Sequence, residues 1–81
     1  MSEINQAAVQ AAGAVFAIVV NGEQRNAKPG DTVADLLCDL GLENGRVAIE
    51  RNLQILPRAQ WEETKIAAGD RYEIVQFVGG G

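Results

Sequence analysis

Apolar positions along this chain fall into blocks of differing period, and the blocks predict the elements. From Ala14 to Val20 the run AVFAIVV is apolar on both parities and rich in β-branched residues. A strand apolar on both faces is expected at the centre of a sheet, or covered twice. Asn21-Gly22 follows, a strong hairpin signal because a type I′ turn needs positive φ at both central positions. Glu23 to Lys28 is then the return strand, and the two-residue turn sets Val20 opposite Glu23 and Ile18 opposite Arg25. Its polar composition places it at an edge.

The period then changes. Pro29-Gly30-Asp31 marks a turn, and Thr32 is suited to cap a helix, with Asp35 three residues on completing a capping box. Val33, Leu36, Leu37 and Leu40 fall at i, i+3, i+4 and i+7, one apolar stripe. Gly41 stops the helix, and Leu42 can fold back on Leu37 as a Schellman end prefers. A helix of about two turns does not stand alone in water, so it must pack on a sheet. Cys38 lies off the stripe and reads as a half-buried small residue; no base or helix N-terminus adjoins it to make a reactive thiol.

Val47 to Asn52 is a further strand, with Val47 and Ile49 on one face. Asn52-Leu53-Gln54 reads as a tight connection, and Gln54 to Leu56 as a short strand ended by Pro57. Pro57 to Trp61 is irregular or a single turn, with Trp61 a lid on the core. Ala68-Gly69-Asp70 is a turn, and Arg71 to Val78 the last strand. Tyr72 and Ile74 share one parity with the helix-facing Phe16, Ile18 and Val20. Val15, Ala17, Val19, Val75 and Phe77 take the other parity and are expected to form an apolar docking patch opposite the helix; Val78 joins the docking set. Residues 1–13 are polar and alanine-rich and read as a flexible N-terminal extension. The organisation expected is that extension, one domain over 14–78 and a flexible glycine tail over 79–81.

Composition narrows the chemistry. Seven basic residues against 11 acidic ones give a net charge of −4, and the basic residues are scattered. Nucleic acid and anionic membrane are therefore poor partners, and a basic docking surface is the better one. The chain has no histidine, one cysteine and one serine, Ser2. The commonest general base and metal ligand are absent, and no nucleophile–base pair can be assembled. No catalytic residue, metal or cofactor is assigned, and the chain is not expected to be an enzyme. The apolar run Ala11–Val20 is too short to span a bilayer and lacks the positive start of a signal peptide, so a soluble cytoplasmic protein is expected.

The chemistry that remains lies in the last residues, Phe77-Val78-Gly79-Gly80-Gly81. Three glycines carry no side chain to pack, pair or catalyse with, and they let the backbone enter a narrow site. Their reactive group is the α-carboxylate of Gly81, the attachment atom of a carrier, with Gly79 and Gly80 as the threading arm. An inert frayed end is the plainer alternative.

The stretch VAIERN, then ILPRAQW, then GDRYEIVQFVGGG resembles the sulfur carrier proteins of thiamine biosynthesis, the ThiS family. The similarity covers about residues 14–81 and includes Gly30-Asp31-Thr32-Val33 opening the helix. It implies an α+β, ubiquitin-like β-grasp fold: a mixed four- to five-stranded sheet packed on one main short helix. It further implies adenylation of the Gly81 carboxylate by an adenylyltransferase like those that activate ubiquitin. Sulfur then comes from a cysteine desulfurase relay, and the thiocarboxylate passes it to thiazole synthase. Leu53, where a glycine or polar residue is common, and residues 1–13 depart from the pattern. The small subunit of molybdopterin synthase and ubiquitin-like protein modifiers are the alternatives. PRAQW, and the lack of proline in Gln76-Phe77-Val78, favour the thiamine branch.

Overall fold

A computed structural model describes residues 14–77. The expected extension over 1–13, and Val78 with Gly79, Gly80 and Gly81, lie outside the described residues. Strand β1 (Phe16–Val20) turns at Asn21-Gly22 into β2 (Glu23–Ala27). Helix α1 (Val33–Asp39) follows, then β3 (Val47–Arg51), β4 (Gln54–Ile55), a 3-10 turn over Arg58–Gln60, and β5 (Arg71–Gln76). The strands form one mixed sheet in the order β2-β1-β5-β3-β4. β1 pairs antiparallel with β2 and parallel with β5.

The hairpin has the expected register, with Val20 opposite Glu23 and Ile18 opposite Arg25, and polar β2 is an edge strand. β1 begins at Phe16 rather than Ala14, because Phe16 pairs with Ala27, the last residue of β2. Ile18, Val20, Ile49, Tyr72 and Ile74 present the sheet's buried face to Val33, Leu36 and Leu37 of α1. Trp61 and Ile66 complete this core. Trp61 is the expected lid: its ring is buried and its indole N–H donates to the Leu56 carbonyl at 2.9 Å.

A helix of seven residues persists here because its ends are closed. The Asp35 amide donates to Thr32 Oγ1 and the Asp35 carboxylate accepts from the Thr32 amide, the reciprocal capping box. The Val33 and Ala34 amides donate to the carbonyls of Thr64 and Trp61. The first-turn donors that a helix leaves unpaired are thus all used. At the other end Gly41 (φ 76°) lets its own amide reach Cys38 O and the Leu42 amide reach Leu37 O, a Schellman end. Cys38 is exposed rather than half-buried, because the off-stripe side of so short a helix faces solvent. Its Sγ lies 3.7 Å from a Glu43 carboxylate oxygen. The charge of Glu43 pushes the thiol pKa up, which leaves less of the reactive thiolate at neutral pH.

The β3–β4 hairpin has positive φ at both turn residues, Asn52 (52°) and Leu53 (72°). Asparagine tolerates this region; leucine does so at a cost of roughly 1–2 kcal/mol, with no compensating burial, since Leu53 is 84% exposed. The Leu53→Gly variant creates an Asn-Gly turn. It should gain about 0.5–1 kcal/mol in urea denaturation after the entropic cost of glycine is subtracted.

Candidate functional site

The chain end is the expected site, and β5 is the element that leads to it. β5 lies between β1 and β3, but its two ladders are unequal. With β3 it makes five residue pairs, from Val47↔Gln76 to Arg51↔Tyr72. With β1 it makes two, Val19↔Arg71 and Val20↔Tyr72, because β1 turns away at Asn21. The Asn21 side chain takes over from the departing backbone. Its Oδ1 accepts from the Ile74 amide at 2.7 Å, and its Nδ2 donates to the Ile74 carbonyl at 3.2 Å. One carboxamide thus replaces a missing strand residue.

On the β3 side a second turn asparagine does similar work. The Arg71 amide donates to Asn52 Oδ1 at 2.9 Å, and the Asn52 amide donates to the Arg71 carbonyl at 2.8 Å. Asn52 Nδ2 reaches Asp70 Oδ1 at 3.2 Å. Asp70 is 5% exposed. Its Oδ2 accepts from the Ala67 amide (2.9 Å), the Tyr72 hydroxyl (2.8 Å) and Arg51 Nε (3.1 Å). This cluster pins the start of β5, and no buried side-chain polar atom among the described residues lacks a partner.

The cluster shifts its two acids, Asp70 and Tyr72, in opposite directions. Burial pushes the Asp70 carboxyl up. The bonds from Ala67, Tyr72 and Asn52 and the charge of Arg51 outweigh burial and hold its pKa below the ordinary value. Burial, with the neighbouring Asp70, pushes the Tyr72 hydroxyl from 10.0 up to about 12.

Beyond β5 the last described tether is the Phe77 amide, which donates to Arg46 O at 2.8 Å. Gly81 is four residues further on, with Gly79 and Gly80 before it.

Parity holds for the expected docking residues. Val15 (55%), Val75 (56%) and Phe77 (55%) are exposed, Ala17 is exposed and Val19 half-buried. The parallel register nonetheless divides them. Val19 stands level with Arg71, so Val75 and Phe77 project beyond the end of β1 while Val15 and Ala17 lie behind it. Val15 and Val75 are eight positions apart along the strand direction, about 26 Å. Near the chain end, the partner of Val75 is Ala48. On the helix side, a cleft of about 460 Å³ opens between α1 and the 3-10 turn, where the Arg58 guanidinium sits 5.1 Å over the Trp61 ring.

Sequence reasoning missed Asn21, Asn52 and Asp70 as partners of β5. Asn21 and Ile74 are 53 positions apart, and local pattern carries no sign of that pairing. Among the described residues no group of three or more histidine, cysteine or carboxylate side chains could hold a metal, and no helix is long and apolar enough to cross a membrane.

The profile of the ThiS family matches residues 18–81. The chain is 43% identical over 54 residues to the sulfur carrier protein ThiS of Bacillus subtilis, which covers 67% of this chain and 82% of that protein. It is 45% identical over 64 residues, 79% of its own length, to a thiazole synthase of Paramagnetospirillum magneticum. The match spans only 20% of that longer relative. Among solved structures, the thiamine biosynthesis protein ThiS of Geobacter metallireducens matches with a TM-score of 0.66 at 30% identity. That match covers 82% of this chain and 100% of the other. The sheet-and-helix arrangement is thus the ubiquitin-like β-grasp.

Two pH limits follow from the Asp70 cluster. Asp70 has a lowered folded pKa, so its contribution is present above ~4 and is lost as pH falls further. Tyr72 has a raised one, so stability is intact below 10 and falls as pH rises towards 12. Urea denaturation across pH should show both limbs, and Tyr72→Phe should remove the alkaline one at a cost of about 1 kcal/mol at neutral pH.

Proposed function

The chain belongs to the ThiS family, and from that premise we propose that it carries sulfur for thiazole formation in thiamine biosynthesis on the α-carboxylate of Gly81. The carboxylate is ionised at neutral pH and is a poor electrophile. In this reading an adenylyltransferase joins it to the AMP of ATP and releases pyrophosphate. A persulfide supplied by a cysteine desulfurase relay attacks the carbonyl and expels AMP. A thiol then cleaves the acyl disulfide and frees the thiocarboxylate. Thiazole synthase takes the sulfur. The carrier itself supplies no acid, base or metal, in keeping with a chain that has no histidine.

The observation that carries this reading is the fixed root of the tail. β5 is fastened by Asn21 and the Asp70 cluster up to Ile74, and the Phe77 amide is tied to Arg46. Val78 and then Gly79, Gly80 and Gly81 follow in the sequence. Ordering three glycines in a narrow site costs about 3–6 kcal/mol, so docking of the body must offset it. Val75 and Phe77 are assigned to docking beside the tail. Val78 is retained in the same set, and Val15, Ala17 and Val19 form the far end of that face. The similarity to a segment of a thiazole synthase supports thiazole synthase as the acceptor.

Intact mass spectrometry after incubation with ATP, an adenylating enzyme and a persulfide donor tests the reading. One oxygen exchanged for sulfur, located at Gly81, is the expected result. Conjugates on lysines of other proteins would assign a modifier instead, and an unchanged mass would leave the tail inert. Phe77→Asp should lower transfer at least about tenfold with an unchanged circular dichroism spectrum; full transfer by this variant would remove Phe77 from the docking surface.

A further inference from the structure

The outer face of the sheet holds an arrangement that neither the fold nor the thiocarboxylate chemistry uses. Glu50 of β3 and Glu73 of β5 stand directly opposite each other in the antiparallel register, and both are exposed. Like charges at opposed positions repel and weaken a sheet. Among the described residues the ion pair is Arg51–Asp70, so neither glutamate has a cation within 4.0 Å. Ile55 is the next cross-strand neighbour of Glu50, and Val75 and Ala48 form the adjoining pair on the same face. Ile55 is 77% exposed and Val75 56%. With the two carboxylates these side chains line a shallow recess of about 300 Å³. The free chain therefore retains a repulsive pair beside uncovered apolar groups, four residues before Phe77. A neutral polar residue at either position would suit the isolated sheet better.

Resting on the carrier reading above, we propose that this recess is the electrostatic anchor for thiazole synthase. An apolar side chain of the enzyme seats against Ile55 and Val75, and an arginine or lysine beside it bridges Glu50 and Glu73. Charge complementarity selects a basic surface, and the similarity to a segment of a thiazole synthase selects this enzyme. Two unpaired carboxylates on a chain of net charge −4 repel an acidic or second identical surface and attract a basic one. Bridging converts the repulsion of the free state into attraction in the complex, so the pair costs stability alone and adds affinity when docked. Its place on β5 links it to the glycine arm through one strand.

The double variant E50Q/E73Q separates this role from a structural one, because stability and binding should move in opposite directions. Calorimetric titration against thiazole synthase at several salt concentrations, with a thermal melt of each free carrier, reads both. The melting temperature should rise by about 1–4 °C. Affinity should fall about fivefold at low ionic strength, and its salt dependence should flatten. An unchanged affinity and salt slope in the variant, with tight binding by the parent chain, would overturn the recess and leave the carrier reading standing. Absence of binding by the parent chain would overturn thiazole synthase as acceptor and the recess with it. Self-association of the parent chain that the variant loses would assign the recess to a second copy and overturn the proposal as well.

Discussion

The Asn21 carboxamide is the contact on which the chain end depends. β1 leaves β5 after two residue pairs, and without Asn21 the Ile74 amide and carbonyl would face an empty edge. A hairpin turn needs a residue that accepts positive φ, and asparagine does so while keeping an amide that imitates backbone. Asn52 solves the same problem at the β3 end, and Asp70 gathers Arg51, Tyr72 and Asn52 into the joint between them. Two turns that are local features of their hairpins therefore also fix the strand from which the glycines depart.

The two faces of the sheet are built for different work. The inner face is closed by α1, Trp61 and Ile66, and its side chains are almost wholly removed from water. The outer face keeps Val15, Ile55, Val75 and Phe77 more than half exposed. Such apolar exposure on a chain this small is a mark of association. In the proposed role the inner face holds the shape, the outer face is read by partner enzymes, and the reacting group is carried beyond both.

Local chemistry made much of this legible from the residues alone. Thr32 and Asp35 specify the helix start, Gly41 and Leu42 its end, and Asn21-Gly22 the register of the first hairpin. Each signal acts within a few residues, so the pattern of side-chain types is enough to read it. Alternation also separated Ile74 from Val75 and so told the inner face from the outer. It did not reveal that Val15 and Val75 are far apart, because the offset of a parallel pair is set by which residues meet across the crossover, not by parity. The Asp70 cluster and the Glu50–Glu73 opposition were hidden for the same reason: both join β5 to the β3 hairpin across some twenty intervening positions. Leu53 formed its turn against its own preference, an instance of sheet pairing overriding local propensity.

Native-state hydrogen exchange at the Ile74 amide tests the central claim most directly. If the Asn21 carboxamide holds β5 beyond the end of β1, this amide exchanges only through global unfolding, and in Asn21→Ala it exchanges through a low-energy local opening while the hydrogen-bonded amides of Leu40 and Leu56 remain protected. Rapid exchange of the Ile74 amide in the parent chain, or protection unchanged in Asn21→Ala, would contradict the account.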